Sequence, residues 1–211
     1  MDIFKGLFFI VFSLLLVYGC NGVEKQPVSS IKDTVYIRSD KETEKELLAM
    51  SEEILSFLTE DNFKEISKMV DPIHGVTFAF YADFGNPDGY GGNYVNLSKK
   101  DISEIYDKKY LWGKDEAGTE YNLSLHEYTQ QMLLKRWGNE EIQYIIVTYN
   151  EPAENFAGVI STIHEYYPDA IYVEYHSPGK DEHSFQSLRF IYQERDGTWY
   201  LIGIVRDVAT V

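Results

Sequence analysis

SLRFIYQERDGTWYLIGIVRD (187–207) is the stretch on which the fold turns. Two runs rich in β-branched and aromatic residues, 188–194 and 198–206, flank Asp196-Gly197. That dipeptide signals a two-residue turn, because both turn positions need positive φ and glycine adopts it without steric cost. The stretch reads as an antiparallel hairpin. Upstream, AIYVEYH (170–176) and IQYIIVTY (142–149) have the same extended composition. The four segments predict an antiparallel meander toward the C-terminal end.

Further upstream the period changes. Leu47, Ile54 and Leu58, with Leu48 and Leu55 beside them, put one apolar stripe on a helix over 40–59. A second, short helix over 62–70 turns Phe63, Ile66 and Val70 inward. Two later helices carry explicit start signals. In LSKKDI (97–102), Ser98 caps, Asp101 favours the positive helix end and Leu97 staples onto Ile102; in LSLHEY (123–128), Glu127 completes a capping box with Ser124. GVTFAFYADF (75–84) reads as a strand running into the loop NPDGYGGN (86–93). Helices first, then a meander, place the domain in the α+β class.

The final hairpin behind such helices resembles the nuclear-transport-factor-like fold, a cone of curved antiparallel sheet closed by helices. More narrowly, DPIHGVTFAFYADF (71–84), YLWG (110–113), YPDAIYVEYHSPG (167–179) and the hairpin itself resemble a group of uncharacterised bacterial lipoproteins. The resemblance implies a cavity inside the cone. It implies no reaction, since that architecture hosts isomerases, dehydratases and pure binding modules.

The N-terminus has its own layout: Lys5, the apolar run LFFIVFSLLLV (7–17), then VYGC (17–20). A positive start followed by a short apolar segment is a secretory leader, and the run is too short to span a bilayer. The stretch resembles the lipobox of bacterial lipoproteins, which implies cleavage before Cys20 and acylation of its thiol and new amine. An uncleaved anchor or an ordinary secretory signal is the alternative. The expected organisation is a signal peptide over 1–19, a lipidated tether over 20–39 and a single α+β domain over 40–211. More than one acyl chain makes such attachment stable, which places the domain in the bacterial cell envelope, outside the cytoplasm.

Cys20 is the only cysteine, so once it is acylated the domain has no disulfide, thiolate metal site or cysteine nucleophile. Stability must come from a core supplied largely by 17 Tyr, 12 Phe and 3 Trp. A formal charge of −15 argues against nucleic acid and against electrostatic adhesion to anionic lipid.

Strand alternation supplies the candidate site residues. On 170–176, Tyr172, Glu174 and His176 share one face, and Ile171, Val173 and Tyr175 share the other. Arg189 alternates with Leu188 and Phe190, while Arg206 follows Tyr200, Ile202 and Ile204 on one side. Were Glu174, His176, Arg189 and Arg206 to converge, a carboxylate and an imidazole would have cationic partners that set their pKa. The plainer alternative is a solvated sheet face, or ion pairs across neighbouring strands.

Other chemistries find little footing. His126-Glu127 and His164-Glu165 both lack the second histidine of H-E-x-x-H, which excludes a zincin. His176 with Asp181 and His183 is a looser ligand set without diagnostic spacing. Residues 83–89 suggest a calcium loop, but counting from Gly89 puts Phe84 and Val95 at ligand positions. A rim loop presenting Tyr90 and Tyr94 is the better reading. No G-x-S-x-G elbow, P-loop or strand-borne G-x-G-x-x-G occurs, and no cofactor or metal is expected.

Two functions remain. The preferred one is a non-catalytic, lipid-tethered module that binds a small molecule or an envelope protein through the cone mouth or the sheet. The alternative is an isomerase- or hydrolase-like enzyme with Glu174 or Asp169 as base, His176 as proton relay and Arg189 or Arg206 as anion stabiliser.

Overall fold

Apolar residues at helical spacing form the first element, α1 (Lys41–Thr59), which buries Leu47, Ser51, Ile54 and Leu58. Ser51 is the polar member of this stripe. Its hydroxyl lies 2.7 Å from the Leu47 carbonyl oxygen and 2.7 Å from the Tyr192 hydroxyl, which fixes the helix against the sheet. Asp61 turns the chain at φ 54° into α2 (Phe63–Met69), which buries Phe63 and Ile66. The computed structural model describes residues 41–84, 94–104, 107–115, 118–135, 142–153, 161–179 and 184–209, all within the unit Ile37–Val211. Cys20 with its leader and tether, the 86–93 loop with Tyr90, and Asp181 and His183 lie outside the described residues.

The chain continues through β1 (Val76–Ala79), β2 (Tyr94–Leu97), α3 (Lys99–Glu104), β3 (Lys109–Lys114), β4 (Glu120–Ser124) and α4 (Leu125–Tyr128). A π-helical turn, Thr129–Leu133, extends α4. Then come β5 (Ile146–Tyr149), α5 (Ile163–Tyr166), β6 (Ile171–Pro178), β7 (Phe185–Arg195) and β8 (Thr198–Ala209). Six strands form one sheet in the order β2-β1-β8-β7-β6-β5, and β3 and β4 form a separate hairpin.

The α+β class stands, with one correction. The sheet is mixed rather than antiparallel throughout, because β1 runs parallel to β8 through Thr77↔Gly203, Phe78↔Ile204 and Ala79↔Val205. All four β1 residues are buried, as expected of a strand covered on both faces. The C-terminal meander β5-β6-β7-β8 is antiparallel as expected. At its last turn Asp196 (φ 52°) and Gly197 (φ 74°) take the paired positive angles of a two-residue hairpin loop.

The β7–β8 ladder is not regular. Ile191 pairs with Gly203 and Tyr192 with Leu201, so Ile202 is an extra residue in β8. A Cβ on Gly203 would lie 2.8 Å from Ile191 Cδ1, hence glycine beside the bulge. The bulge changes the phase of the strand. Leu201 and Ile204 belong to one core, and Ile202 and Val205 to another.

These two cores define the two faces of the sheet. The first face packs against α1, α2, α4 and Trp112 of β3. The second is covered by Ile163 of α5, Ala170 and Phe84. Among the described residues no helix is long and apolar enough to cross a membrane.

Candidate functional site

The sheet brings three of the four sequence-predicted residues together and sets the fourth apart. Glu174 and Arg189 are direct cross-strand partners of β6 and β7, and His176 faces Ser187 two pairs further along. All lie on the second face, in phase with Tyr172 and Ile191. Glu174 is 1% exposed and His176 fully buried.

Arg189 holds this cluster. Its Nε and Nη2 donate to the Glu174 carboxylate at 3.0 and 3.3 Å, a side-on bidentate pair, and its Nη1 donates to Asp207 Oδ2 at 2.9 Å. The Ala153 N–H also donates to Glu174, at 3.3 Å. His176 Nδ1 lies 2.9 Å from the Ser187 hydroxyl and 3.9 Å from the Glu174 carboxylate. Asp207 is a member of the cluster that strand alternation did not single out.

Burial works to discharge Arg189, but the Asp207 and Glu174 carboxylates overcome it and raise its pKa above the ordinary value. Burial pushes the Asp207 carboxyl up, and Arg189 offsets only part of that. The imbalance has a simple origin: two carboxylates share one guanidinium. A base needs lone pairs open to a substrate proton, and those of Glu174 already accept from Arg189 and Ala153. The cluster is a closed ion-pair network.

Arg206 corrects the expected convergence. Beyond the Ile202 bulge β8 is out of phase with its earlier half, so Arg206 turns to the first face while Asp207 takes the place beside Arg189. Arg206 is 1% exposed, and its guanidinium carbon stands 4.8 Å from the Phe80 ring centroid. Its Nε and Nη1 have no hydrogen-bond partner among the described residues. It forms no ion pair there either.

Magnitudes decide what this means. An unpaired buried charge costs several kcal/mol, even after relaxation. A desolvated cation–π contact returns about 2 kcal/mol or somewhat more. Phe80 alone does not balance Arg206.

The surroundings of Arg206 are aromatic and partly polar. Tyr121 stacks on Phe80 at 5.3 Å, and its hydroxyl donates to Asp115 at 3.0 Å. Burial, with the Asp115 carboxylate, pushes Tyr121 up to about 12. Tyr128 stacks on Trp112 at 4.0 Å with the rings 6° from parallel, and Trp112 Nε1 donates to the Leu123 carbonyl at 2.7 Å. Tyr128 reaches this position because the Ser124–Glu127 capping box expected from the sequence is formed in both directions.

Behind Tyr128 the π-helical turn shifts the backbone pairing by one residue, with Leu134 N–H donating to the Thr129 carbonyl. The Met132 carbonyl accepts from Gln186 Nε2 at 2.9 Å, and the Leu133 carbonyl from the Tyr144 hydroxyl at 2.6 Å. Gln186 Oε1 and the buried Thr129 hydroxyl have no partner among the described residues. Gln186 pairs with Val208 and Leu188 with Arg206, so Gln186 and Arg206 are diagonal neighbours on one face.

The remaining candidates are peripheral. His126 contacts Asp61 at 3.0 Å on the surface, and His74, His164 and Asp169 are exposed. Tyr94 is exposed, with its ring 6.4 Å from that of Phe84. Among the described residues no group of three or more His, Cys, Asp or Glu is placed to hold a metal ion.

No protein-family model matches the chain, and no curated protein sequence matches it.

Proposed function

We propose that this chain is a bacterial lipoprotein, anchored to a membrane of the cell envelope through acylated Cys20, whose α+β domain binds a ligand without transforming it. The domain is a nuclear-transport-factor-like cone in this reading, with the helix-covered first face as its inside. The leader supports the anchoring, through Lys5, the apolar run over 7–17 and Gly19-Cys20. The helices on the first face and the long bulged hairpin support the cone. The formal charge of −15 supports a small molecule or an envelope protein as ligand over nucleic acid.

One observation carries the binding reading: the buried cation of one face is bonded to carboxylates, and that of the other face meets none among the described residues. Glu174, Arg189 and Asp207 satisfy one another, whereas the buried Arg206 pairs with nothing among the described residues. The enzyme alternative needs Glu174, or the exposed Asp169, as a base with Arg189 or Arg206 as its anion stabiliser. It has less support, because Glu174 and Arg189 occupy each other and Arg206 is on the opposite face.

Both halves of the proposal are testable. Fatty-acid labelling in a bacterial host should mark the parent protein and not Cys20→Ala; equal labelling removes the anchor. An unbiased small-molecule thermal-shift screen of the full chain should yield stabilising compounds that are recovered unchanged. Turnover of a stabilising compound overturns the non-catalytic reading.

A further inference from the structure

The geometry points to Arg206 as the anchor for the carboxylate of a small organic acid with an apolar body. This assignment rests on the proposed binding role and names the ligand class for the same face.

Three features of the first face converge on that class. The first is the guanidinium, enclosed in the core with Nε and Nη1 bonded to nothing among the described residues. A carboxylate fits a guanidinium edge bidentately and cancels its single charge, whereas a phosphate dianion would leave excess negative charge in a site with one described cation. The second feature is the apolar wall. Phe80 stands under Arg206, with Tyr121 stacked on it and Tyr128 6.5 Å away, so a ligand reaching Arg206 meets ring faces and edges rather than water.

The third is a pair of unsatisfied polar atoms in the elements of the same face. Gln186 Oε1 is an acceptor and the Thr129 hydroxyl can donate or accept, and both are buried without partners among the described residues. Gln186 is placed diagonally from Arg206 across the β7–β8 ladder, a spacing of about 7–8 Å between such neighbours. An acid bearing a hydroxyl or amine near its carboxylate would satisfy Gln186 as well as Arg206. The second face differs in its cation, since the Arg189 guanidinium is already bonded to Glu174 and Asp207.

The test is isothermal titration calorimetry on the full chain in mild detergent. Probes are monocarboxylates from acetate to decanoate with benzoate, phenylacetate and mandelate, each against its primary amide, and inorganic phosphate. At least one carboxylate is expected to saturate a single site, with its amide at least about tenfold weaker. Arg206→Met, which removes the buried charge and keeps the bulk, should bring the carboxylate down to the level of the amide while the circular dichroism spectrum stays the same. Arg206→Lys keeps the charge without the planar fork and should retain part of the preference. It serves as the second variant if the methionine protein does not fold.

Equal binding of acid and amide, tighter binding of phosphate, or a preference that survives at Arg206→Met and Arg206→Lys undiminished overturns the carboxylate assignment while the binding module stands. Absence of saturable binding in both series overturns the assignment. Should the thermal-shift screen also find no stabilising compound, the binding reading falls with it.

Discussion

Arg206 and Asp207 are consecutive in β8 and serve opposite faces of the sheet. The Arg206 guanidinium stands 4.8 Å from the Phe80 ring centroid, and the Asp207 carboxylate accepts from Arg189 at 2.9 Å on the other side. One residue of strand separates a buried cation that is unpaired among the described residues from an ion-pair network. Single substitutions distinguish the two faces and the elements that build them.

Arg189→Met should be among the most destabilising single changes on the second face. It strands Glu174 and Asp207 as buried carboxylates without a cation, and breaking a buried pair in this way costs about 3–5 kcal/mol. Asp207→Asn should cost clearly less. Asp207 has a raised pKa in the fold, so its stability contribution is fully present below the unfolded value and is lost as pH rises through the folded value. Above that range the buried carboxylate is a burden that asparagine lacks, and Arg189 keeps its bidentate bond to Glu174. Urea denaturation midpoints of the two variants give the comparison, and equal losses would contradict it.

Acid should undo a different contact. Asp71 joins the connection before β1 to the tip of the β7–β8 hairpin, with Arg195 Nη1 and Nη2 at 3.1 and 2.9 Å from its two oxygens. Burial raises its pKa, but the N–H groups of His74 and Ile73 and the Arg195 guanidinium outweigh burial and hold it below its ordinary value of 3.8. A depressed carboxylate contributes stability that is present above the unfolded pKa and lost as pH falls through the folded pKa. Asp71→Asn should flatten the stability–pH curve below about pH 4 and lower stability at neutral pH by about 1–2 kcal/mol. An unchanged acid limb in denaturation profiles would remove Asp71 as its source.

The capping box is worth a measurable amount because α4 and its π-helical extension carry Tyr128 and Thr129. Ser124→Ala leaves the Glu127 N–H without its side-chain acceptor, a loss of about 1 kcal/mol. Because Tyr128 stacks on Trp112, the same variant should change the near-ultraviolet circular dichroism of the indole. A melting temperature equal to that of the parent would contradict the assignment.

The bulge can be probed by compensation. Gly203→Ala drives a methyl to 2.8 Å from Ile191 Cδ1, and such overpacking costs about 1–3 kcal/mol. Ile191→Val removes that carbon. The double variant should recover part of the stability lost in Gly203→Ala, read as a thermal-denaturation cycle; additive losses would show that another contact sets the cost.

The sequence carries the local elements well and the long-range ones poorly, for physical reasons. The α1 stripe, the Ser124–Glu127 box and the Asp196-Gly197 turn are each encoded within a few residues, and each is formed. The alternation that puts Glu174 and His176 on one face of β6 also holds. The parallel pairing of β1 with β8 joins strands more than a hundred residues apart, which no local period records. The β3–β4 hairpin escapes a reading by period because its alternation is broken by the register shift between Leu111 and Gly113.

Simple alternation puts Arg206 on the wrong face for a related reason. The bulge falls in Leu201-Ile202-Gly203-Ile204, where the residues on both faces are apolar or glycine and phase leaves no mark. Asp207 is lost with it, since correct phase for one residue fixes the other. Unbroken alternation groups Arg206 with Glu174, and only the packing shows that it is unpaired among the described residues.

The most direct test compares ligand-induced stabilisation in Arg206→Met and Glu174→Gln, using the compounds found in a thermal-shift screen of the parent chain. A first-face binding site predicts that the melting-temperature increase is lost in Arg206→Met and retained in Glu174→Gln, whatever the starting stability of each. Retention in Arg206→Met with loss in Glu174→Gln would move the site to the second face and contradict the central claim.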